Sequence, residues 1–365
     1  MTSRKNSWHN RMAVTKILTC AFLIQLTMSA SAADAETARV TWAEFSVTRQ
    51  NALTLDVNQD LIAWEQSNHS PCTERSAFQT ASHFPFSICA YNVRTNESST
   101  LIDQSNPDIR PRLNDDWVVY QRSPTGISTI RAYNLTTAED IVVSPPALFN
   151  SRNANTHDST IVFSAESIVD DQVASTIMAY DLTARQLITV SLDTAFSVDH
   201  PDVYGRVVVW QQAPLGTHDF DIMGYDLATG ALFAISTQSR SEQFPRIDQN
   251  IVVWDGDGDI YGYDLGTSKL FTIVQAPGTQ TMPVVAGDWV AWMDDRNGQW
   301  DIFAYDLVSG QTYQIADDAI NEGYPAMTEN LIAWIRQDDG IHAARKMSNF
   351  VLLPFVQGQD NTYTR

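Results

Sequence analysis

The chain has 365 residues, 44% of them apolar, and a formal net charge of −20, with 43 acidic residues against 23 basic ones. That balance argues against nucleic acid or anionic lipid as partners held by bulk electrostatics. Ten Trp, twelve Tyr and fifteen Phe among many short Val/Ile-rich runs favour strand over helix.

Taken in order, the chain opens on a leader. Arg4, Lys5, Arg11 and Lys16 are basic, Ile17 to Met28 are mostly apolar, and Ala30, Ser31 and Ala32 supply a small-residue cleavage pattern. The apolar run, about a dozen residues, is too short to span a bilayer comfortably, so residues 1–32 read as a cleaved signal peptide. Export to the periplasm, cell surface or extracellular space is expected, with no transmembrane segment after cleavage. Removing the leader takes the net charge from −20 to −24. A solvated acidic surface accounts for that charge; a cationic partner or a divalent metal is the sharper alternative. Two cysteines remain, Cys72 and Cys89, and in an exported protein they are expected to pair, closing a loop of about 16 residues worth roughly 3 kcal/mol. A reactive or metal-binding thiol is the alternative, although neither has a His-flanked signature.

Residues 33–50 hold an extra strand, RVTWAEFSV (39–47), and from 51 to 356 one unit repeats. A strand ends in an aromatic at Trp64, Tyr120, Phe163, Trp210, Trp254, Trp292 and Trp334, at intervals of 56, 43, 47, 44, 38 and 42 residues. A period near 40 to 45 fits one four-stranded propeller blade. Nine residues before the aromatic stands Pro111, Pro201, Pro245, Pro283 or Pro325, with Ala154 and Leu55 in the two divergent units. A Tyr-Asp-Leu strand follows, as in DIFAYDL ending at Leu307; in the seventh unit GIHAARK (340–346) takes that slot without the tyrosine. The continuous apolar run of the second strand, such as Ile251 to Trp254, needs cover on both faces. The third strand alternates, and the Asp of DLATG, DLGTS and DLVSG is placed to accept turn amides.

The expected fold is therefore all-β: a seven-bladed β-propeller of four-stranded antiparallel blades. NFVLLPFV (349–356) is expected to be the last strand and 357–365 a tail. The N-terminal strand is expected to close the ring in or beside the last blade.

The unit Pro-x-(Val/Ile)-x5-(Val/Ile)-x-Trp followed by Asp-Ile-(Tyr/Phe)-x-Tyr-Asp-Leu-x-(Thr/Ser)-Gly resembles the TolB-like β-propeller repeat, over residues 51–356 and most clearly from Pro201 to Ile315. The resemblance implies an exported scaffold and brings no catalytic residues with it. The chain differs from TolB itself in having seven units where TolB has six blades, and in lacking its preceding α/β domain.

Function is expected where the repeats differ, on the face formed by the loops between second and third strands and between blades. The loop 67–85 holds His69, Cys72, Arg75 and His83. The residues before each proline, Arg110, His200, Phe244, Met282 and Tyr324, should ring the channel mouth. His200, His218 and Asp219 share that face and make a His/His/carboxylate metal site conceivable, against ordinary loop histidines. Asp255, Asp257 and Asp259 in DGDGD look like the start of a calcium loop, but its twelfth position is Gly266, so a plain turn competes. In DDRNGQWD (294–301), Asp294, Asp295 and Arg296 are expected to be exposed.

No serine elbow, His-Glu-x-x-His, phosphate loop or dinucleotide fingerprint occurs. The expected function is a non-catalytic, monomeric scaffold binding protein, peptide or glycan through its loop face, without cofactor or nucleic acid. The alternative is a polysaccharide lyase or glycosidase.

Overall fold

The computed structural model describes residues 40–48, 52–67, 72, 86–102, 108–123, 126–238, 240–316 and 319–347. Among them the regular structure is all β: seven four-stranded antiparallel sheets that form the blades of a propeller. The leader (1–32), His69, His83 and the segment 349–356 lie outside the described residues. Among the described residues no helix is long and apolar enough to cross a membrane.

The fifth blade shows how sequence becomes sheet. From the channel outward its strands are Glu242–Asp248, Ile251–Gly256, Asp259–Asp264 and Lys269–Val274. Successive side chains of a strand point to opposite faces. Val252 and Trp254 accordingly join a cluster with Val209 and Ile222 of the fourth blade, while Val253 joins one with Val290 and Trp292 of the sixth. The run of apolar residues is uninterrupted because both faces are covered. All seven terminal aromatics, from Trp64 to Trp334, are fully buried.

The hairpins between third and outer strands follow one rule. Oδ1 of Asp226 accepts from the amides of Ala228 at 2.9 Å and Thr229 at 3.1 Å, and Asp264 and Asp306 do the same two and three residues on. Asn92, Asn134 and Asp181 play this part in the first three blades. These are Asx turns, and the side chains that make them are structural. Gly262 in the third strand has its own reason, since a Cβ there would collide with the ring of Phe271 on the outer strand.

The innermost strands touch their neighbours all the way round, Glu322–Thr328 meeting Ala52–Asn58. Closure is made by the N-terminal strand Thr41–Thr48, which pairs antiparallel with Gly340–Met347 as the outermost strand of the seventh blade. The fourth strand of that blade is thus supplied by the N-terminus, in place of the expected 349–356. A blade built from both ends of the repeat region ties them together by main-chain hydrogen bonds.

Side chains reinforce the seam. Trp42 meets Trp289 edge-on at 5.4 Å between centroids, the Lys346 ammonium lies over the same ring, and Glu44 accepts from Arg336 at 3.0 Å and contacts His342 Nδ1 at 3.1 Å. Ala344 stands in the slot that Tyr263 and Tyr305 fill elsewhere, and Trp42 joins its apolar cluster. In the first blade Cys72 and Cys89 form the expected disulfide, with Cα atoms 5.6 Å apart.

Because Trp42 is half-buried at the seam, Trp42→Ala is expected to lower the unfolding free energy by about 2 kcal/mol, less than a fully buried Trp would cost. Urea denaturation measures it; an unchanged midpoint would show that the N-terminal strand does not hold the ring closed.

Candidate functional site

Every innermost strand carries one residue more than the strand it pairs with, and that of the third blade carries two. In the fifth blade Gln243 faces Asp255 and Arg246 faces Val253, so Phe244 and Pro245 bulge; the same offset occurs in all seven blades. At six of these bulges a non-glycine residue has positive φ: Arg110 (55°), Asn153 (51°), His200 (52°), Phe244 (53°), Met282 (52°) and Tyr324 (55°). Such backbone costs on the order of 1 kcal/mol or more per residue and persists only where the surroundings enforce it.

At four of the six the enforcing contact is a bond across the blade interface, while the His200 amide donates to Asp199 Oδ1 on its own strand at 2.8 Å. The bulge amide of Arg110 donates to Glu65 Oε2 at 2.7 Å and that of Phe244 to Gln211 Oε1 at 2.8 Å. Met282 N reaches Asp255 Oδ2 and Tyr324 N reaches Met293 Sδ, both at 3.4 Å. In each of these four the acceptor is the residue just after the buried aromatic of the preceding blade. Glu65, Gln211 and Asp255 are buried for this purpose. Burial pushes the Asp255 carboxyl up to about 6, against the bonds from Thr281 and the Met282 amide, and pushes Glu65 up as well. Nothing in the linear pattern marks these positions; only the recurrence of a polar residue one step past the aromatic hints at them.

Arg110, His200, Phe244, Met282 and Tyr324 occupy the same bulge position in their blades, at one end of the innermost strands. The polar arc of this end is linked side chain to side chain. Arg110 donates to Asn153, Asn153 Nδ2 donates to Asp199 Oδ1 at 2.8 Å, and Arg152 Nε donates to Asp199 Oδ2 at 3.1 Å. The His200 ring packs edge-on against Phe244 at 4.8 Å, and its buried Nδ1 has no hydrogen-bond partner among the described residues. Burial holds the imidazole below its ordinary pKa, Asp199 opposes this, and Arg246, Arg110 and Arg152 add to it. Burial would raise Asp199, but the charges of His200 and Arg152 and the bonds from Ser164 and Asn153 bring it below its ordinary value; with His200 neutral at pH 7, Arg152 is the charge that acts there.

Other expected groupings do not form. His218 and Asp219 lie exposed on the fourth-blade loop, where the His218 carbonyl accepts from Ser241. Among the described residues no three His, Cys, Asp or Glu side chains are arranged to hold a metal ion. Asp255 faces Thr281 and Met282, Asp259 accepts from Tyr261 and Gln275, and Asp257 sits in the turn at φ 54°, so the DGDGD carboxylates diverge. Asp294, expected at the surface, is fully buried: Trp292 Nε1 donates to it at 2.8 Å and Arg296 Nε at 2.8 Å, and Asp295 and Arg296 are half-buried beside it. Both the indole N–H of Trp292 and the Arg296 guanidinium and amide donate to this carboxylate, which satisfies it inside the blade.

A second cavity of about 430 Å³ opens on the same face across the sixth, seventh and first blades, with Trp300, Tyr324, Met293 and Ile335 as its apolar wall and Asn321 and Gln337 at its rim. Glu322 lies beneath. Its Oε1 accepts from Arg336 Nε, Arg336 Nη2 and Trp334 Nε1, each at 3.2 Å, and burial pushes its carboxyl up to about 7 despite these donors. The second blade repeats the arrangement at the same strand positions, Arg122 gripping Asp108 at 2.6 and 2.7 Å.

No protein-family model matches the sequence. No curated protein matches it. Solved structures do. The β-propeller domain of the Trilobed protease from Pyrococcus furiosus is 11% identical, with 86% of this chain and 99% of that one covered and a TM-score of 0.60. An oligogalacturonate lyase in complex with manganese is 13% identical over 84% and 96%, at a TM-score of 0.59. Pyrococcus horikoshii acylaminoacyl peptidase is 13% identical over 85% of this chain and 54% of its own, also at 0.59. At such identities the likeness is one of fold.

Glu242, the fifth-blade counterpart of Asp108 and Glu322, faces Gly256 where the others face an arginine. Burial pushes it from 4.5 to about 7, with only Ser236 donating to Oε1. The folded state therefore keeps a proton that the unfolded chain releases near pH 4.5, so stability falls as pH rises from there to about 7, by on the order of 3 kcal/mol. Glu242→Gln, which mimics the protonated acid, is expected to match the parent at pH 4 and exceed it at pH 8 in urea denaturation. Parallel pH profiles would refute the shift.

Proposed function

We propose that this chain is a non-catalytic binding protein that takes a protein, peptide or glycan on its loop face. The observation that carries this is the cavity beside the channel lip. Tyr324, half-exposed, and Trp300 offer flat apolar surface, and the amides of Asn321 and Gln337 lie at its edge, bonded to each other at 3.1 Å. Aromatic faces with a few placed polar groups suit an extended chain of alternating apolar and polar character, which both peptides and glycans present.

An enzyme of the lyase or glycosidase type is the second reading. It is favoured by Glu322, a carboxyl near neutrality in a cavity wall, and by the oligogalacturonate lyase among structures of the same fold. The repetition of its ion pair as Asp108–Arg122, where no such cavity is needed, favours a structural origin for Glu322. Sequence features support the setting: the basic leader and cleavage pattern fit export, and the Cys72–Cys89 bridge fits an oxidising compartment. The reading includes a monomer without cofactor.

Purified protein screened on glycan and peptide arrays is expected to give specific hits, and Trp300→Ala and Tyr324→Ala are each expected to weaken those hits at least tenfold with the circular dichroism spectrum unchanged. Hits indifferent to both substitutions would sink the loop-face assignment; turnover of a hit, abolished by Glu322→Gln, would establish the enzyme instead.

A further inference from the structure

Below the lip, the next channel-facing positions of the innermost strands divide the shaft into two arcs. Blades one to five place Asp56, Arg112, Asn155, Asp202 and Arg246 there; blades six and seven place Val284, half-buried against the cluster of Ala291 and Ile332, and Ala326, buried with Leu55. The lip above divides one blade earlier, with Arg110, Asn153 and His200 in blades two to four and Phe244, Met282 and Tyr324 in blades five to seven.

The two carboxylates are already engaged. Asp202 accepts from the amides of Val203 at 3.0 Å and Ile247 at 2.9 Å, and Asp56 from that of Leu113 at 2.7 Å, so each ties its strand to the next blade. Arg112 spends Nε on Asn155 at 2.8 Å and Nη1 on the Pro111 carbonyl at 2.9 Å, and Nη2 has no acceptor among the described residues. Arg246 makes no side-chain hydrogen bond and no ion pair among the described residues. Its charge nevertheless acts on Asp202, Asp56, Arg112 and His200, and in the ring of innermost strands the fifth blade stands three blades from the second, on the far side of the channel. A half-buried guanidinium with no acceptor is costly, and His200 Nδ1, which makes no hydrogen bond among the described residues and stands 4.0 Å from Asp199 Oδ1, is a further buried polar atom.

We propose that the shaft is a binding site for a carboxylate attached to an apolar group. Arg246 and Arg112 take the carboxylate from across the channel, with Arg110 above them, and the apolar part lies along Val284, Met282 and Tyr324. This rests on the loop-face reading, because the ligand enters by that mouth, and it names the chemistry recognised there. A small organic acid and the C-terminus of a peptide with an apolar last residue both present this group.

The test is calorimetric titration of the full chain at low salt with hexanoate and hexanamide, and with a pentapeptide ending in leucine as free acid and as amide. An acid is expected to bind at least tenfold more tightly than its amide. Preference for hexanoate alone assigns a small acid; binding of the peptide acid at least as tightly assigns a peptide C-terminus. Arg246→Gln is expected to remove the binding with the circular dichroism spectrum unchanged and at most a small fall in melting temperature, since its charge favours Asp202 and Asp56 but its side chain makes no hydrogen bond among the described residues, and Arg246→Lys to retain part of the binding. Equal binding of acid and amide, no binding of either acid, or full binding by Arg246→Gln overturns the proposal. The two readings fail separately: array hits that need Trp300 while both acids fail leave only the loop face, whereas acid binding without such hits leaves only the shaft.

Discussion

A sheet whose second strand is apolar on both faces cannot be satisfied by one neighbour. Val252 and Val253 are consecutive residues buried against different blades, and the same holds for each pair before the terminal aromatic. Seven such strands need seven interfaces, and seven interfaces between seven blades exist only in a closed ring. The propeller follows from this demand, and so does the use of the N-terminal strand in the seventh blade. A ring left open would expose one face of Trp334's strand and one face of Trp64's.

Closure has a second consequence at the channel. Packing blades side by side requires the innermost strands to converge, and the bulge before each proline lets them turn while keeping their amides bonded. The hydrogen bond from the bulge to the residue after the preceding aromatic is thus part of the blade interface. It also aims the bulge side chain at the lip. Structure and site share one device, with the amide serving the fold and the side chain free to differ from blade to blade. A related separation appears inside the second, sixth and seventh blades, where a buried carboxylate serves an indole or a guanidinium, while Glu242 in the fifth faces a glycine.

The fold was largely legible in the linear pattern, because the features are local and recur, the aromatic in seven units, the Asx turn in six and the proline in five. Of the site, the bulge residues were legible by their place before each proline, and His200 and Tyr324 stand where that rule puts them. The grouping of His200 with His218 and Asp219 was not supported, since residues of one blade's loops lie at different radii from the axis. Asp294 misled for the opposite reason: a polar turn sequence looks solvated unless one knows that Trp292 and Arg296 donate to its carboxylate. Glu65, Gln211 and Asp255 carried no warning, because a polar residue after a strand reads as its exposed end.

What the sequence determined by itself is the blade: its four strands, its two-faced burial and its turns, all set by neighbours within about forty residues. What only the tertiary structure decided is which blades meet across the channel. Arg112 and Arg246 are 134 positions apart in the chain, and they share one space because ring closure places the second and fifth blades on facing walls. Side chains converge there through the geometry of a circle, which no local pattern of residues encodes.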